Sequence, residues 1–172
     1  QRIGPVTARI IEPTYRTDFP QHVDEIVVFD AEMLNTRPED EEDQKNFTPL
    51  YGCLKTIIPT EYGESWFCEG VMPGEEQFNA FREALRERNW YYWSNSNDDY
   101  TLTDSHQGED AQPLPAFYFV ISAPRSVSKG DIDKTLHELT ADWKHPLCWW
   151  RLAKEAGANE EKHVAISERY GM

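Results

Sequence analysis

The sequence has few cysteines and no long apolar run. The three cysteines stand far apart and form no CxxC pair, at Cys53, Cys68 and Cys148. This spacing indicates neither a disulfide framework nor a zinc knuckle, and it favours a reducing compartment. The longest apolar stretch, residues 115–123, is far shorter than the roughly 18–20 residues that cross a bilayer. We therefore expect a soluble, cytoplasmic protein that makes no membrane contact.

Basic residues are also scarce. The 172 residues include 17 Lys or Arg against 31 Asp or Glu, which gives a formal net charge of −14. A chain of this charge repels phosphate backbones and anionic headgroups. We therefore expect no direct binding of nucleic acid.

The short motifs of common enzymes are missing. The sequence contains no GxSxG elbow, no Walker A loop, no GxGxxG and no HExxH pattern. Asp104, Ser105 and His106 have the residue types of a catalytic triad, but triads assemble from distant segments, and three neighbours on one loop rarely point into a common site. We predict no catalytic residue.

The spacing of possible metal ligands along the sequence does not indicate a metal site either. Residues 95–99 place oxygen ligands as a calcium loop does, but Tyr100 stands where that loop needs glycine. His137 and His145 are about 12 Å apart along a helix, which is too far to share an ion. His163 is expected at the surface. The sequence therefore predicts no metal site and no cofactor.

The acidic residues are concentrated in two blocks. Residues 24–43 hold nine acids and one arginine, and residues 89–124 hold five acids and no Lys or Arg. The run at 39–43 is typical of a solvated loop. Alternatively, both blocks converge on one negative surface that attracts a basic protein, with DNA mimicry as the extreme case. Both interpretations stay open, because the sequence gives the density of charge but not its placement.

Aromatic residues are the second unusual feature, with six Trp, eight Tyr and eight Phe. Residues 90–93 are all aromatic and would alternate sides in a strand, so that one pair faces the core and the other faces solvent or a helix. Core packing explains such rings, but an exposed pair beside an acidic turn would form a protein-contact surface. On that hypothesis the partner-binding residues are Glu39, Asp40, Glu41, Glu42, Asp43, Tyr91, Trp93, Asp98, Asp99 and Tyr100.

Strand patterns dominate the first two thirds of the chain. β-Branched and aromatic segments predict strands at 6–11, 25–31, 54–58, 65–71, 90–93, 100–103 and 116–121. Residues 61–64 are typical of a turn, and residues 94–99 of the turn in an aromatic hairpin. The strand at 116–121 is apolar on both faces, which indicates a central position in its sheet.

Helical periodicity is found in the remaining segments. The first helix begins after Met72, with Pro73 in its first turn, and has one apolar stripe, formed by Phe78, Phe81 and Leu85. Ser128 predicts the N-cap of a second helix, which Pro146 ends. A third helix is predicted at 147–156, and residues 159–170 form either a helix or an edge strand, with the helix favoured.

The order of these elements predicts an α+β fold in a single domain over residues 1–172. We expect a mostly antiparallel sheet of about 6–7 strands, with two to four helices packed mainly on one face. Strand, helix, hairpin, strand and helix follow one another over residues 50–145, which is compatible with a ferredoxin-like core.

Three functional hypotheses follow from these patterns. The first is a non-enzymatic interaction module whose acidic, aromatic face docks on a basic protein, as an inhibitor or nucleic-acid mimic. The second is a small enzyme or ligand-binding domain with an aromatic-lined pocket. The third is a subunit of a larger assembly with Trp149 and Trp150 at an interface. The oligomeric state and the partner's identity are open at this stage.

Overall fold

In the residues that the structure describes, the apolar and β-branched segments form seven antiparallel strands in two separate sheets, together with five α-helices. The computed structural model describes residues 1–17, 19–108 and 110–172. The α+β class predicted from the sequence is confirmed. The chain divides into two compact units, one made of residues 1–12 and 20–60 and the other of residues 13–19 and 61–172. The single domain over 1–172 stays a prediction.

The first unit is built on a three-stranded sheet. Its strands are β1 (Thr7–Arg9), β2 (Ile26–Met33) and β3 (Tyr51–Ile58), and β2 lies in the middle. A short helix, α1 (Glu41–Lys45), lies between β2 and β3. The apolar character of 25–31 therefore did predict a central strand, although only Val27 of β2 is fully buried.

The second unit contains the remaining elements. In chain order they are β4 (Tyr62–Val71), α2 (Glu75–Glu87), β5 (Tyr91–Ser94), β6 (Thr101–Leu102), β7 (Leu114–Pro124), α3 (Lys129–Leu139), α4 (Trp150–Ala156) and α5 (Glu160–Tyr170). A 3-10 turn at Ser105–Gln107 precedes β7. Strand β7 is central, as predicted, with β4 and β5 beside it.

Both predicted hairpins between neighbouring strands are wrong, although residues 98–99 do form a turn. Strand β4 starts at Tyr62, inside the segment 61–64, and β3 and β4 lie in different sheets. Strands β5 and β6 each pair with β7 rather than with each other. The physical reason is that β7 is apolar on both faces and buries itself best with a partner on each edge.

The main core lies between β7 and the helices of the second unit. Phe117, Phe119 and Ile121 of β7 are each at most 2% exposed. The predicted stripe of α2 packs here, with Phe81 and Leu85 buried and Phe78 at the margin. Helix α3 adds Ile132 and Leu136 to the same cluster, so the sheet and helices bury one shared apolar layer.

The helix boundaries follow local chemistry. The Ser128 hydroxyl accepts a hydrogen bond from the backbone N–H of Asp131, which confirms the predicted N-cap of α3. The helix ends at Leu139, well before Pro146, and the Thr140 hydroxyl donates to the Leu136 carbonyl there. Residues 159–170 form a helix, as favoured from the sequence.

One backbone bridge occupies the free side of β4. Cys148 and Glu69 exchange both of their backbone hydrogen bonds, at 2.8 and 2.9 Å. The helix predicted at 147–156 therefore begins only at Trp150. The order β4-β7-β5, with α2 connecting β4 to β5, is the order of the first three strands of a ferredoxin-like sheet. The bridge at Cys148 lies where such a sheet places its fourth strand, and the ferredoxin-like core stays a prediction.

No helix in the described residues combines the length and the apolar character that crossing a bilayer requires.

Candidate functional site

The five acidic residues at 39–43, which the sequence predicts as partner-binding residues, lie in the long connection between β2 and β3. We call residues 36–49 of this connection the acidic tip. All five side chains are exposed. Asp40 caps α1 by accepting the backbone N–H of Glu42 and Asp43, and Lys45 pairs with Glu42 at 2.6 Å. The cap and the ion pair stabilise a short helix within the acidic run, and they fix the carboxylates of Asp40 and Glu42.

The base of the acidic tip is closed by hydrogen bonds. The Leu34 backbone N–H donates to the Leu50 carbonyl at 2.8 Å. The Asn35 side chain donates to the Thr48 carbonyl at 2.9 Å and accepts from the Leu50 N–H at 2.8 Å. The tip is therefore attached to the sheet of the first unit by a bridged neck.

Exposed aliphatic side chains occur at this neck and on strand β3. Leu34 is 73% exposed, Leu54 is 65% exposed and Leu50 is 54% exposed. Strand β3, which carries Leu54, is an edge strand of its sheet. Apolar side chains next to an acidic segment are the composition of a protein contact, in which an apolar centre is surrounded by polar groups.

The other predicted residues belong to the second unit and are described by themselves. Asp98 and Asp99 are exposed, while the rings of Tyr91, Trp93 and Tyr100 are half-buried. The Tyr91 ring meets Tyr62 edge-on at 5.7 Å. Tyr100 also packs against a cluster of buried residues in this unit.

Tyr100 is the most firmly held of these rings. Its hydroxyl donates a hydrogen bond to the Glu69 carboxylate, and its ring meets Tyr118 edge-on at 5.0 Å. Burial and the bond to Glu69 raise the pKa of the Tyr100 hydroxyl. Its polar group is satisfied within the second unit, so its ring rather than its hydroxyl is what a partner would contact.

An open cavity of about 660 Å³ lies beside the aromatic strand. Trp90, Tyr91 and Tyr92 line one side of it, and α2 contributes Arg82 and Arg86. The Arg82 guanidinium lies 5.3 Å from the centre of the Tyr92 ring. Glu83 also lines the cavity and pairs with Arg86 at 2.6 Å, which leaves Arg82 as the cationic group that an anionic aromatic ligand would meet.

A cluster of possible metal ligands lies in the second unit, at the junction of α3 and α5. Asp133, His137 and His163 each bring one ligand atom within 4.8 Å of the other two. Asp133 and His137 are one turn apart on α3, with Oδ1 and Nε2 separated by 3.8 Å. His163 is fully buried, so its predicted place at the surface is wrong.

Trp149 holds this cluster in place. Its indole N–H donates to Asp133 Oδ1 at 2.7 Å, and its backbone N–H donates to His163 Nδ1 at 3.2 Å. Burial lowers the pKa of His163 to about 4 and also lowers the pKa of His137. Both imidazoles are therefore neutral at pH 7, which is the form that binds metals.

The cluster has an opening through His137. This ring lines a cavity of about 310 Å³ together with Trp143, Trp149 and Lys162. A small molecule in the cavity would meet an imidazole, two indoles and one ammonium group. A neutral imidazole there could act as a metal ligand or as a general base.

The residues that resembled a triad have another role. Asp104 is buried, and the Arg169 guanidinium donates to both of its carboxylate oxygens, at 2.8 and 2.6 Å. These bonds hold the pKa of Asp104 well below its usual range. Asp104 therefore anchors α5 and does not add to the exposed negative charge of the second unit.

Part of the cluster of Asp133, His137 and His163 could be predicted from the sequence. Asp133 and His137 are spaced i, i+4 on a predicted helix, which places both on one face. His163 and Trp149 come from later segments, and only the packing of α5 on α3 and α4 brings them to that face. The cluster was missed because its third ligand is distant in sequence.

Comparison of the chain with protein-family models, with curated proteins and with solved structures finds no match. The function therefore has to be inferred from the geometry.

Proposed function

We propose that this protein is a non-enzymatic interaction module whose acidic tip docks on a basic protein, as an inhibitor that competes with nucleic acid. The observation that carries this proposal is the exposure of all five acids at 39–43 on a capped turn above a bridged neck. Carboxylates held in this way steer a basic partner and set its orientation.

The exposed leucines at the neck would supply the affinity that charge alone does not. Leu34 and Leu50 are exposed at the neck, and Leu54 is exposed on the edge strand β3. Burial of apolar area provides most of the free energy of association, while rim charges mainly raise the association rate. Asp98 and Asp99, with the half-buried rings near them, would form a further contact in the second unit.

The test is capture of a binding partner by two matched variants. In the first, Glu39, Glu41 and Glu42 become Gln, and Asp40 and Asp43 become Asn. In the second, five exposed acids of the second unit are neutralised, at Glu75, Glu76, Glu87, Glu161 and Glu168. Both changes alter the net charge equally, so any difference between the variants reports on position and not on total charge.

We expect the wild-type protein and the second variant to capture the same basic protein at about 0.1 M salt. At about 1 M salt, where the Debye length falls to about 3 Å, most of that binding should be lost. The tip variant should capture little at either concentration. Equal capture by both variants, or capture that does not depend on salt, would contradict docking through the acidic tip.

A second candidate function is a ligand-binding domain, and the cavity beside the aromatic strand favours it. Tryptophan fluorescence during titration with a set of aromatic carboxylates would detect binding near Trp90. We expect Arg82→Gln to weaken binding and Arg88→Gln, which lies outside the cavity lining, to leave it unchanged. If Arg82→Gln leaves the fluorescence titration curve unchanged, the ligand-binding function is excluded.

A further inference from the structure

We propose that Asp133, His137 and His163 bind a divalent first-row transition-metal ion at the junction of α3 and α5. The three residues are brought together from two helices, and one ligand atom of each lies within 4.8 Å of the others. Bonds of about 2.0–2.2 Å place tetrahedral ligand atoms about 3.5 Å apart. Small side-chain rotations therefore close the cluster around an ion.

The first argument is the charge of Asp133. Its side chain is only 6% exposed, and its hydrogen bond comes from a neutral indole N–H. His137 Nε2 lies 3.8 Å from Asp133 Oδ1, beyond hydrogen-bond distance. A buried carboxylate is costly unless a cation compensates it. A bound metal ion supplies that cation.

The second argument is the buried nitrogen of His163. The residue has no exposed surface, and its Nε2 atom has no hydrogen-bond partner in the described residues. Buried polar atoms are almost always satisfied, so an orphaned ring nitrogen calls for a specific explanation. A metal ion bound at Nε2 is such a partner.

Metal binding changes which nitrogen of His163 carries the proton. Nδ1 accepts the Trp149 backbone N–H, so the neutral ring carries its proton on Nε2. Coordination through Nε2 moves that proton to Nδ1 and breaks the hydrogen bond from Trp149, so the Trp149 backbone N–H loses its acceptor and the ring must turn to separate the two N–H donors. The lost hydrogen bond and the unsatisfied donor together cost less than the binding of a transition-metal ion gains, so coordination is still favourable.

The ligand types select the class of ion. Two imidazoles and one carboxylate suit Zn²⁺, Fe²⁺ or Co²⁺, whereas Ca²⁺ and Mg²⁺ prefer oxygen ligands alone. The indole N–H of Trp149 holds the Asp133 carboxylate, as the outer partners of metal ligands commonly do. The Asn159 amide nitrogen, 3.5 Å from His137 Nε2, is at the outer limit of a hydrogen bond and can give way.

The cavity beside His137 leaves room for an exchangeable position on the ion. Three protein ligands with one open position are typical of catalytic zinc sites, while structural sites use four. Lys162 lines the same cavity, so an anion would be the favoured fourth ligand. The site is distinct from the acidic tip, which belongs to the first unit.

The test uses Co²⁺ and Zn²⁺ on the full chain without an affinity tag. We expect one Co²⁺ per chain, with the strong visible absorption of a four-coordinate ion, and displacement by Zn²⁺ in calorimetry. Asp133→Asn and His137→Gln should each weaken binding by at least about tenfold. His106→Gln changes an exposed histidine outside the cluster and should leave the affinity unchanged.

Two results would overturn the proposal. One is the absence of any Co²⁺ absorption and any Zn²⁺ heat with folded wild-type protein. The other is Zn²⁺ affinity that Asp133→Asn and His137→Gln do not alter. His163 is fully buried, so its replacement would disturb the packing of α5. Its role is therefore tested in the wild-type protein, by nitrogen-15 NMR of the imidazole ring. Zn²⁺ should move the ring proton from Nε2 to Nδ1, and an unchanged ring spectrum would remove His163 from the site.

Discussion

At the scale of single residues, identical side chains serve opposite purposes in this chain. Asp98 and Asp99 are exposed to solvent, whereas Asp104, a few residues later, is buried and bound at both oxygens by Arg169. The sequence shows all three only as members of one acidic block. What separates them is the packing of α5, which brings Arg169 within 2.6 Å of Asp104.

The pair of Asp104 and Arg169 makes stability depend on pH. The pKa of the Asp104 carboxyl is lowered in the folded protein. The contribution of the ion pair to the free energy of unfolding is therefore complete above the pKa of about 3.9 that an aspartate has in the unfolded chain, and it is lost as pH falls through the folded value. We expect Asp104→Asn to lower the free energy of unfolding at pH 7, and the difference from wild type to shrink below pH 4. Urea unfolding at several pH values measures this.

The control for this measurement is Asp98→Asn, which removes an exposed carboxylate of the same block. It should leave the free energy of unfolding nearly unchanged at every pH. A difference between wild type and Asp104→Asn that stays constant from pH 7 to pH 2 would contradict the role of the ion pair.

Some residue roles were predictable and others were not. The N-cap at Ser128 and the buried stripe of Phe81 and Leu85 depend on neighbours within one helix, and local sequence was enough to predict them. The burial of His163 depends on Trp149 and on helix α3, which are distant in sequence. A single sequence carries no signal for such a contact.

At the scale of secondary-structure elements, the identity of the strands was easier to predict than their partners. All seven predicted strand segments overlap an observed strand. The pairing was wrong wherever two consecutive strands were taken as a hairpin, because β7 competes for both β4 and β5. Strand identity is a local property, whereas pairing is decided by which alternative buries more apolar surface.

Gly70 of β4 shows how closely neighbouring segments pack. A Cβ atom at this position would lie 2.9 Å from Leu147 Cδ1 and 3.3 Å from Leu147 Cα. We expect Gly70→Ala to destabilise the second unit by about 1–3 kcal/mol, because the chain around Leu147 must move away from the strand. Thermal and urea unfolding give the value.

Gly52→Ala in β3 is the matched control. A Cβ atom there meets only the Asp30 Cβ atom, at 4.0 Å. This variant should be neutral or slightly stabilised, since alanine restricts the unfolded chain more than glycine does. If both variants have the same stability, the close approach of Leu147 to β4 is not a constraint.

At the scale of the whole molecule, the two units differ in how much apolar surface they bury. The second unit has two clusters of buried residues, which together include most of the buried hydrophobic side chains. In the first unit, the buried hydrophobic side chains of the described residues are Val23 and Val27. Stability within a protein varies with such differences, and weakly packed regions open first.

We expect amide hydrogen exchange to distinguish the two units. Backbone amides of β7 should exchange at least about tenfold more slowly than those of β2 and β3, because β7 is central in the better packed core. Exchange followed by mass spectrometry resolves these strands. Equal protection of β2, β3 and β7 would show that the first unit opens only when the second does.

The exposed edge strand of the first unit has a consequence for handling the protein. Strand β3 presents backbone groups on one side and carries exposed aliphatic residues such as Leu54 and Ile57. Such an edge can join the same edge of another copy unless repulsion keeps the copies apart. The net charge of −14 provides that repulsion at neutral pH, and it vanishes near the isoelectric point of about 4.7. Acidification to near this pH therefore removes the charge barrier to strand-to-strand aggregation.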